Sequence, residues 1–271
     1  MKLISGLKVK IGILLAISGF QGCLQAQNPI YNIGLCIVGT GSYNAFAQKL
    51  IESARRFFCT AHNVTYFLFT DQPIEEQPDT VVLPHRRLGW PYDTLFRFHV
   101  YDGSKKILEH MDYIFACDAD MLFVDAVGDE ILGDRVGTQH PGFVGKKGSY
   151  EVLNPLSVAY VRPHEGSVYY AGGFYGGVSK EFLLLVSSLK DAVNRDLLQL
   201  DFIAVWHDES YLNRYFIDNP PTVTLSPSYC YPESWHLPYK KRLLALDKNH
   251  QEYQKRSYTT DEDSAGINPQ P

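Results

Sequence analysis

Two aspartates with one residue between them, Asp118 and Asp120, follow the apolar run of the segment YIFACDADML at residues 113–122. In extended backbone, residues i and i+2 point to the same side, so both carboxylates can reach one hard cation. Two carboxylates together with phosphate oxygens are the usual way in which Mg²⁺ or Mn²⁺ is held on a nucleotide. The pair therefore predicts a metal and diphosphate site, with a solvated turn as the alternative from this segment alone.

The same segment has a second interpretation. An apolar strand followed by D-x-D is also the start of the nucleophile motif of haloacid-dehalogenase-type phosphatases. That motif continues to a threonine, which is absent here, and this segment lies in the middle of the chain rather than on an early strand. These two differences favour the metal-site interpretation over a phosphatase.

The elements that must position these aspartates alternate between strand and helix patterns over the first half, which is typical of a mainly parallel α/β sheet. In open sheets of this kind, ligands lie outside the carboxyl ends of the strands, where Asp118 and Asp120 fall. The residues at 122–124 are expected to continue the strand beyond them, and the second half carries a glycine-rich aromatic stretch and a long helix. Strands are expected at 33–38, 64–70, 80–83 and 113–117, and helices at 44–58, at 93–110 with Gly103 as a candidate break, and at 179–196.

Composition narrows the class of protein. The 271 residues are 45% hydrophobic and 13% aromatic, which indicates a globular protein, and the net charge of −5 argues against nucleic acid as the main partner. The five cysteines show neither metal-site spacing nor a disulfide framework, and Cys36 and Cys117 lie in apolar runs typical of a core.

The two ends of the chain differ from its centre. Residues 1–27 run from basic to apolar to small and polar, the pattern of a secretory signal peptide or of a membrane or lipid anchor. Such a segment predicts an exported or membrane-associated protein, at the periplasm or the inner-membrane face, and a cytoplasmic one if the segment is not used. Residues 257–271 are polar and charged and are expected to be disordered.

Eight segments, taken in their order along the chain, resemble glycosyltransferase family 6, which includes the histo-blood-group A and B transferases, the α-1,3-galactosyltransferase and bacterial relatives. The resemblance runs from about Ile33 to Arg256, and its most specific parts are the glycine-rich and WHDES segments. The segments are FLFTDQP (67–73), LGWPYDTLFRFHV (88–100), DADMLF (118–123), HPGF (140–143), YYAGGFYGG (169–177), WHDESYLNRYF (206–216), LSPSY (225–229) and DKNHQ (247–251).

This resemblance implies a GT-A fold over residues 28–256, with a Rossmann-like, mainly parallel sheet and a fused acceptor-binding half. It also implies a retaining transfer from a UDP-sugar to a glycan with a terminal galactose, through an α-1,3 bond. Many bacterial relatives carry N-x-N at the position of Asp118 and Asp120 and work without metal. The D-x-D pair here therefore predicts a member that depends on Mn²⁺ or Mg²⁺, like the animal enzymes.

The resemblance assigns the donor site residue by residue. Gly173 matches the position at which glycine accompanies GalNAc and alanine accompanies galactose, so UDP-GalNAc is the expected donor and UDP-Gal the alternative. A glycine leaves room for the acetamido group that a Cβ would crowd. The other residues expected at the donor are Tyr43 on the uracil, Arg97, Asp118, Asp120, Ala171, Gly172, Asp208 on sugar hydroxyls, and Lys248 over the diphosphate.

Glu209 is the expected catalytic residue, since retention requires a group on the face opposite the departing UDP. A covalent glycosyl intermediate, a stabilised oxocarbenium-like state and same-face attack all remain open. Without the resemblance, Glu209 would be an ordinary carboxylate favouring a helix N-terminus. The acceptor is expected to be a fucosylated galactose, bound by His140, Ser149, Trp206 and Glu233. A non-catalytic glycan-binding protein is the remaining alternative, although it would have no use for D-x-D together with Glu209.

Overall fold

The computed structural model describes residues 29–248. The predictions for the leader at 1–27 and for the tail at 257–271 lie outside the described residues. Within the described range, every helix is too short or too polar to cross a membrane. The four cysteines of this range are buried free thiols, in agreement with the core positions expected for Cys36 and Cys117.

A seven-stranded sheet forms the centre of the molecule, and a three-stranded sheet lies beside it. The strands are β1 (Asn32–Val38), β2 (Asn63–Thr70), β3 (Thr80–Pro84), β4 (Tyr113–Asp118), β5 (Met121–Phe123), β6 (Arg135–Gln139), β7 (Tyr170–Val178), β8 (Val223–Leu225), β9 (Tyr231–Pro232) and β10 (Leu243–Ala245). The large sheet has the order β3-β2-β1-β4-β7-β6-β8. All of its strand pairs are parallel except those that β7 makes with β4 and β6. The predicted α/β fold with a mainly parallel sheet is confirmed.

The helices cover both faces of this sheet. They are α1 (Asn44–Phe57), α2 (Tyr92–Leu95), α3 (Arg97–Gly103), α4 (Lys105–Leu108), α5 (Ser179–Leu200) and α6 (His207–Asp218). Strand β1 is buried on both faces: Leu35 and Ile37 pack with α1, whereas Cys36 packs with α3, α5 and α6. Burial on both faces explains why β1 is an almost continuous apolar run rather than an alternating one.

The helical segment expected at 93–110 forms three short helices; the break expected at Gly103 is confirmed, whereas the break at Phe96 was not expected. The breaks fall at Phe96 and Ser104, whose backbones have φ near −90° and −101° with ψ near 7° and 9°, which is turn rather than helix geometry. Gly103, a poor helix former, ends α3. The break at Phe96 makes Arg97 the first residue of α3.

The residues after the aspartates also depart from expectation. The chain turns at Ala119 and Asp120, and β5 leaves the large sheet to pair antiparallel with β10. Just after β10, the Leu246 N–H donates to the Asp120 carbonyl at 3.0 Å. This pairing brings the end of the described chain back to the aspartate turn.

Candidate active site

A buried guanidinium lies at the centre of the candidate site. Arg97 Nη1 donates to Asp118 at the end of β4 over 2.7 Å, and its Nε lies 3.2 Å from a carboxylate oxygen of Asp208 in α6. Burial lowers the pKa of Arg97, but the two carboxylates outweigh it and hold this pKa well above its usual value. Arg97 therefore stays charged and ties the end of β4 to the start of α6.

Strand β7 carries a bulge where it passes this guanidinium. In β6, Gly137 and Thr138 are consecutive, yet their partners in β7 are Tyr175 and Ala171, so residues 172–174 fall between them. The bulge frees the backbone of Gly172, whose N–H donates to Glu209 Oε2 at 2.8 Å and whose carbonyl accepts from Arg97 at 3.3 Å. Bulges of this kind re-aim a strand beside a site.

The two glycines of the bulge keep space open in front of carboxylates. A Cβ on Gly173 would lie 3.5 Å from an Asp118 carboxylate oxygen and from Cys230 Sγ, and one on Gly172 would lie 3.5 Å from carboxylate oxygens of Asp208 and Glu209. These are ordinary contact distances, and neither glycine has a left-handed φ. A side chain would fit there, but it would occupy the space that these carboxylates face.

Asp208 and Glu209 stand in the first turn of α6, where the helix dipole favours negative charge. Burial raises the pKa of Glu209 to about 7, against the opposing effect of hydrogen bonds from the Gly172 N–H and the Tyr169 hydroxyl, the latter at 2.7 Å. Burial likewise raises the pKa of Asp208 to about 6, against the Arg97 charge. Glu209 is therefore a carboxylate held by two donors and poised between its charged and neutral forms near neutral pH.

A buried amide joins α6 to β7. Asn213 Oδ1 accepts from the Tyr170 N–H, and Asn213 Nδ2 donates to the Tyr170 carbonyl, both at 2.8 Å. The same Nδ2 donates to the Glu209 carbonyl at 2.9 Å. Sequence reasoning gave no role to Asn213 or to the Tyr169 hydroxyl. Their only signal was their position inside the WHDES and YYAGG segments, and the contacts themselves depend on tertiary pairing.

The end of the described chain lies against the aspartate turn. The Lys248 ammonium forms an ion pair with the Asp120 carboxylate and lies 4.9 Å from the centroid of the Tyr43 ring. Tyr43 ends the turn that follows β1. Burial raises the pKa of Asp120, the Asp118 charge raises it further, and Lys248 opposes both. The structure therefore brings Tyr43, Asp120 and Lys248 together.

The aspartate pair fits a hard divalent cation. Two carboxylates leave the same strand end, and burial together with the Asp118 charge raises the pKa of Asp120, so a cation would relieve the cost of negative charge there. Among residues 29–248, no group of three or more His, Cys, Asp or Glu side chains is placed to hold a metal, so the remaining ligands would come from phosphate oxygens or water. Such an ion would compete with Arg97 for Asp118 and with Lys248 for Asp120.

Three of the four predicted acceptor residues gather beside Glu209. The exposed Trp206 donates its indole N–H to Ser149 Oγ at 2.7 Å. The His140 ring packs against Tyr169, with 5.7 Å between centroids, and Tyr169 in turn holds Glu209. His140 Nδ1 accepts from a backbone N–H at 3.0 Å, and burial lowers its pKa, which leaves Nε2–H as a donor on a neutral ring.

Glu233 is not joined to these three residues. Its carboxylate accepts the Asp247 N–H at 3.0 Å, so it anchors the segment that carries Lys248. The nearby Trp235 does approach one of the predicted acceptor residues. Its indole lies 3.9 Å from the position that a Cβ would take on Gly142, two residues after His140. Trp235 was not among the predicted residues.

Comparisons with known proteins give one family. The family model described as glycosyltransferase family 6 matches residues 23–256. The chain is 37% identical over 248 residues to histo-blood group ABO system transferase 1 of Rattus norvegicus, covering 84% of this chain and 70% of that protein. It is 32% identical over 234 residues to human globoside alpha-1,3-N-acetylgalactosaminyltransferase 1, covering 80% and 67%. It is 27% identical over 231 residues to the O-antigen biosynthesis glycosyltransferase WbnI of Escherichia coli, covering 82% and 97%.

Proposed function

This chain belongs to glycosyltransferase family 6, and from that premise we propose that it transfers GalNAc from UDP-GalNAc to O3 of a fucosylated β-galactoside. The proposed transfer retains the α configuration and depends on Mn²⁺ or Mg²⁺ at the D-x-D pair. The mixed α/β architecture is consistent with the GT-A type of fold, and family membership makes the protein a glycosyltransferase with a nucleotide-sugar donor and a glycan acceptor. We propose in addition the identity of the transferred sugar, the linkage, the acceptor and the dependence on a metal.

One network supports this function. Arg97 bonds to Asp118, to Asp208 and to the Gly172 carbonyl, and the Gly172 N–H bonds to Glu209. The end of the central strand, the glycine bulge and the first turn of α6 therefore meet at one place. With a diphosphate bound through a cation at Asp118, the sugar would lie beside the bulge, near both carboxylates of α6.

Glu209 is the residue proposed to act on the anomeric carbon. As the UDP oxygen leaves, positive charge develops on that carbon, and a carboxylate on the opposite face either bonds to it or stabilises it. Same-face attack remains the third route, in which Glu209 acts only electrostatically. The donors Gly172 and Tyr169 hold both carboxylate oxygens in place, so the group need not reorganise during the reaction.

The remaining residues bind the donor and neutralise charge. Asp208, held by Arg97, accepts hydrogen bonds from sugar hydroxyls. When the donor binds, Lys248 leaves its ion pair with Asp120 and pairs with the diphosphate, where its positive charge favours departure of UDP. A cation bound by Asp118 and Asp120 would add further positive charge at the diphosphate.

The choice of GalNAc rests on the space at Gly173. With no Cβ beside the Asp118 carboxylate, the bulge leaves room for a C2 acetamido group. The human relative named above is itself an α-1,3-N-acetylgalactosaminyltransferase by name, which supports the same donor. UDP-Gal is the alternative, because galactose is smaller at C2 and fits the same space.

The test measures UDP release from UDP-GalNAc and from UDP-Gal with a fucosylated galactoside acceptor, with Mn²⁺ and with EDTA. Wild type, Glu209→Ala and the control Asp191→Ala, an exposed carboxylate on α5, are compared. We expect metal-dependent release with UDP-GalNAc that is lost only in Glu209→Ala. A preference for UDP-Gal would contradict the proposed donor. Equal rates with EDTA would contradict the proposed metal dependence, and undiminished transfer by Glu209→Ala would contradict the proposed catalytic residue.

A further inference from the structure

Two sulfur atoms and a carboxylate border the space at Gly173. A Cβ at this position would lie 3.5 Å from Cys230 Sγ and 3.6 Å from Met121 Sδ, and its third neighbour is a carboxylate oxygen of Asp118 at 3.5 Å. The side chains of Cys230 and Met121 are here called the sulfur wall. Neither residue was among those expected at the donor, so the wall is a feature that the fold alone reveals.

The three-stranded sheet carries both members of the sulfur wall. Met121 is the first residue of β5, and Cys230 directly precedes β9. Strand β10 lies between these two strands and pairs with each of them. The Cys230 N–H also donates to the Pro227 carbonyl at 3.2 Å, within the turn that leads into β9. The departure of β5 from the large sheet therefore brings two residues that are far apart in the chain to the same glycine.

The sulfur wall offers a ligand apolar contact rather than hydrogen bonds. Cys230 is a free thiol with 9% of its surface exposed, and Met121 is 2% exposed. A buried thiol behaves as a small apolar group with a weak S–H donor, and a thioether has no donor at all. A sugar hydroxyl placed against the wall would therefore gain little. A methyl group there would leave water and pack on two polarizable atoms, which is favourable.

We propose that the sulfur wall is a donor-specificity element, at which Cys230 and Met121 contact the methyl group of the C2 acetamido substituent of the donor. This inference rests on the proposed function and adds two specificity residues to the same site. Room at Gly173 admits galactose as well as GalNAc, so room alone selects neither sugar. The wall adds a contact that only the acetamido group can make, and it thereby favours GalNAc over galactose.

The test is a competition between equal concentrations of UDP-GalNAc and UDP-Gal for one fucosylated galactoside, with the two products quantified by mass spectrometry. Cys230→Ser replaces the sulfur by a hydrated hydroxyl, and Met121→Ala removes the thioether. Each is expected to lower the ratio of GalNAc product to galactose product about tenfold. Because both donors meet the same enzyme, any loss of folded protein cancels from this ratio. The matched control is Cys59→Ser, which makes the same change at a buried thiol that follows α1.

A product ratio that falls in both wall variants and stays at the wild-type value in Cys59→Ser supports the inference. An unchanged ratio in either wall variant, or an equal fall in Cys59→Ser, would overturn the inference and leave the proposed transfer intact. Rate losses that are equal for the two donors leave the ratio unchanged and count in the same way. A wild type that prefers UDP-Gal would overturn the proposed donor, and transfer from neither donor would overturn the proposed function; the inference falls with either.

Discussion

Replacing Glu209 by glutamine is expected to abolish transfer and, at the same time, to stabilise the fold. The side chain keeps its size and one acceptor oxygen, but it can no longer carry charge. If the ionised carboxylate is needed at the anomeric carbon, transfer falls by at least about a hundredfold. The stability change follows from the burial of the same group.

The magnitude comes from the raised pKa of Glu209, which burial moves from 4.5 to about 7. Because the folded state binds the proton more tightly, ionisation destabilises the fold fully above the folded pKa, and this penalty disappears as the pH falls toward 4.5. It amounts to about 3 kcal/mol near pH 8 and less than about 1 kcal/mol near pH 5. The amide oxygen can accept from only one of the two donors, so we expect it to accept from the Gly172 N–H while the amide nitrogen donates to the Tyr169 hydroxyl oxygen; this weaker pairing offsets about 1 kcal/mol. A net stabilisation of about 2 kcal/mol remains near pH 8.

The assay is thermal unfolding at both pH values, alongside transfer rates. At the higher pH, the Tm of Glu209→Gln is expected to exceed that of wild type by about 4–8 °C, and at the lower pH the two should nearly coincide. The exposed Glu109 supplies the control, since Glu109→Gln should stay within about 0.5 kcal/mol of wild type at both. A variant less stable than wild type near pH 8, or one that keeps its transfer rate, would refute the reasoning.

Four further changes test other parts of the site. Gly173→Ala adds a methyl with only contact-distance neighbours and is expected to shift the kcat/KM ratio toward UDP-Gal by at least about tenfold; an unchanged ratio in competition assays would count against Gly173. Asp120→Asn should remove the response of the transfer rate to Mn²⁺ titration, and a normal titration curve would show that the ion lies elsewhere. Glu151→Gln places an amide N–H against the N–H of Val205, the residue before Trp206, and should raise the acceptor KM about tenfold while leaving the rate of donor hydrolysis unchanged. Equal losses in transfer and in donor hydrolysis would point to a general structural defect. Asn213→Ala leaves two buried strand groups unpaired and should lower the free energy of unfolding by about 2–4 kcal/mol in urea, so a loss below about 1 kcal/mol would contradict the α6–β7 link.

Local patterns in the sequence predicted the strands and the helix that carry or adjoin the residues expected at the donor. Strand β1, helix α1 and strand β4 were expected within a residue or two of their observed limits, because their apolar spacing depends only on nearby residues. The position of Asp118 and Asp120 at a carboxyl end followed from the same reasoning. The roles of Gly173 and Glu209 came from the resemblance to family 6 rather than from periodicity.

Features that depend on long-range pairing could not be predicted in this way. The bulge at 172–174 is a register shift between β6 and β7; Gly172 and Gly173 are compatible with a bulge, but its position depends on how the two strands pair. The departure of β5 to a second sheet is decided by its partner β10, more than a hundred residues later. The contact between the Glu233 carboxylate and the backbone of Asp247 likewise joins residues that no local pattern pairs.

The most direct test of the central claim is the NMR spectrum of the purified product formed from UDP-GalNAc and a fucosylated β-galactoside in the presence of Mn²⁺. We expect a single new GalNAc residue with the α-anomeric coupling and an inter-residue correlation from its H1 to C3 of galactose. A β-anomeric product, a different attachment position, or only free GalNAc under conditions where UDP is released would contradict it.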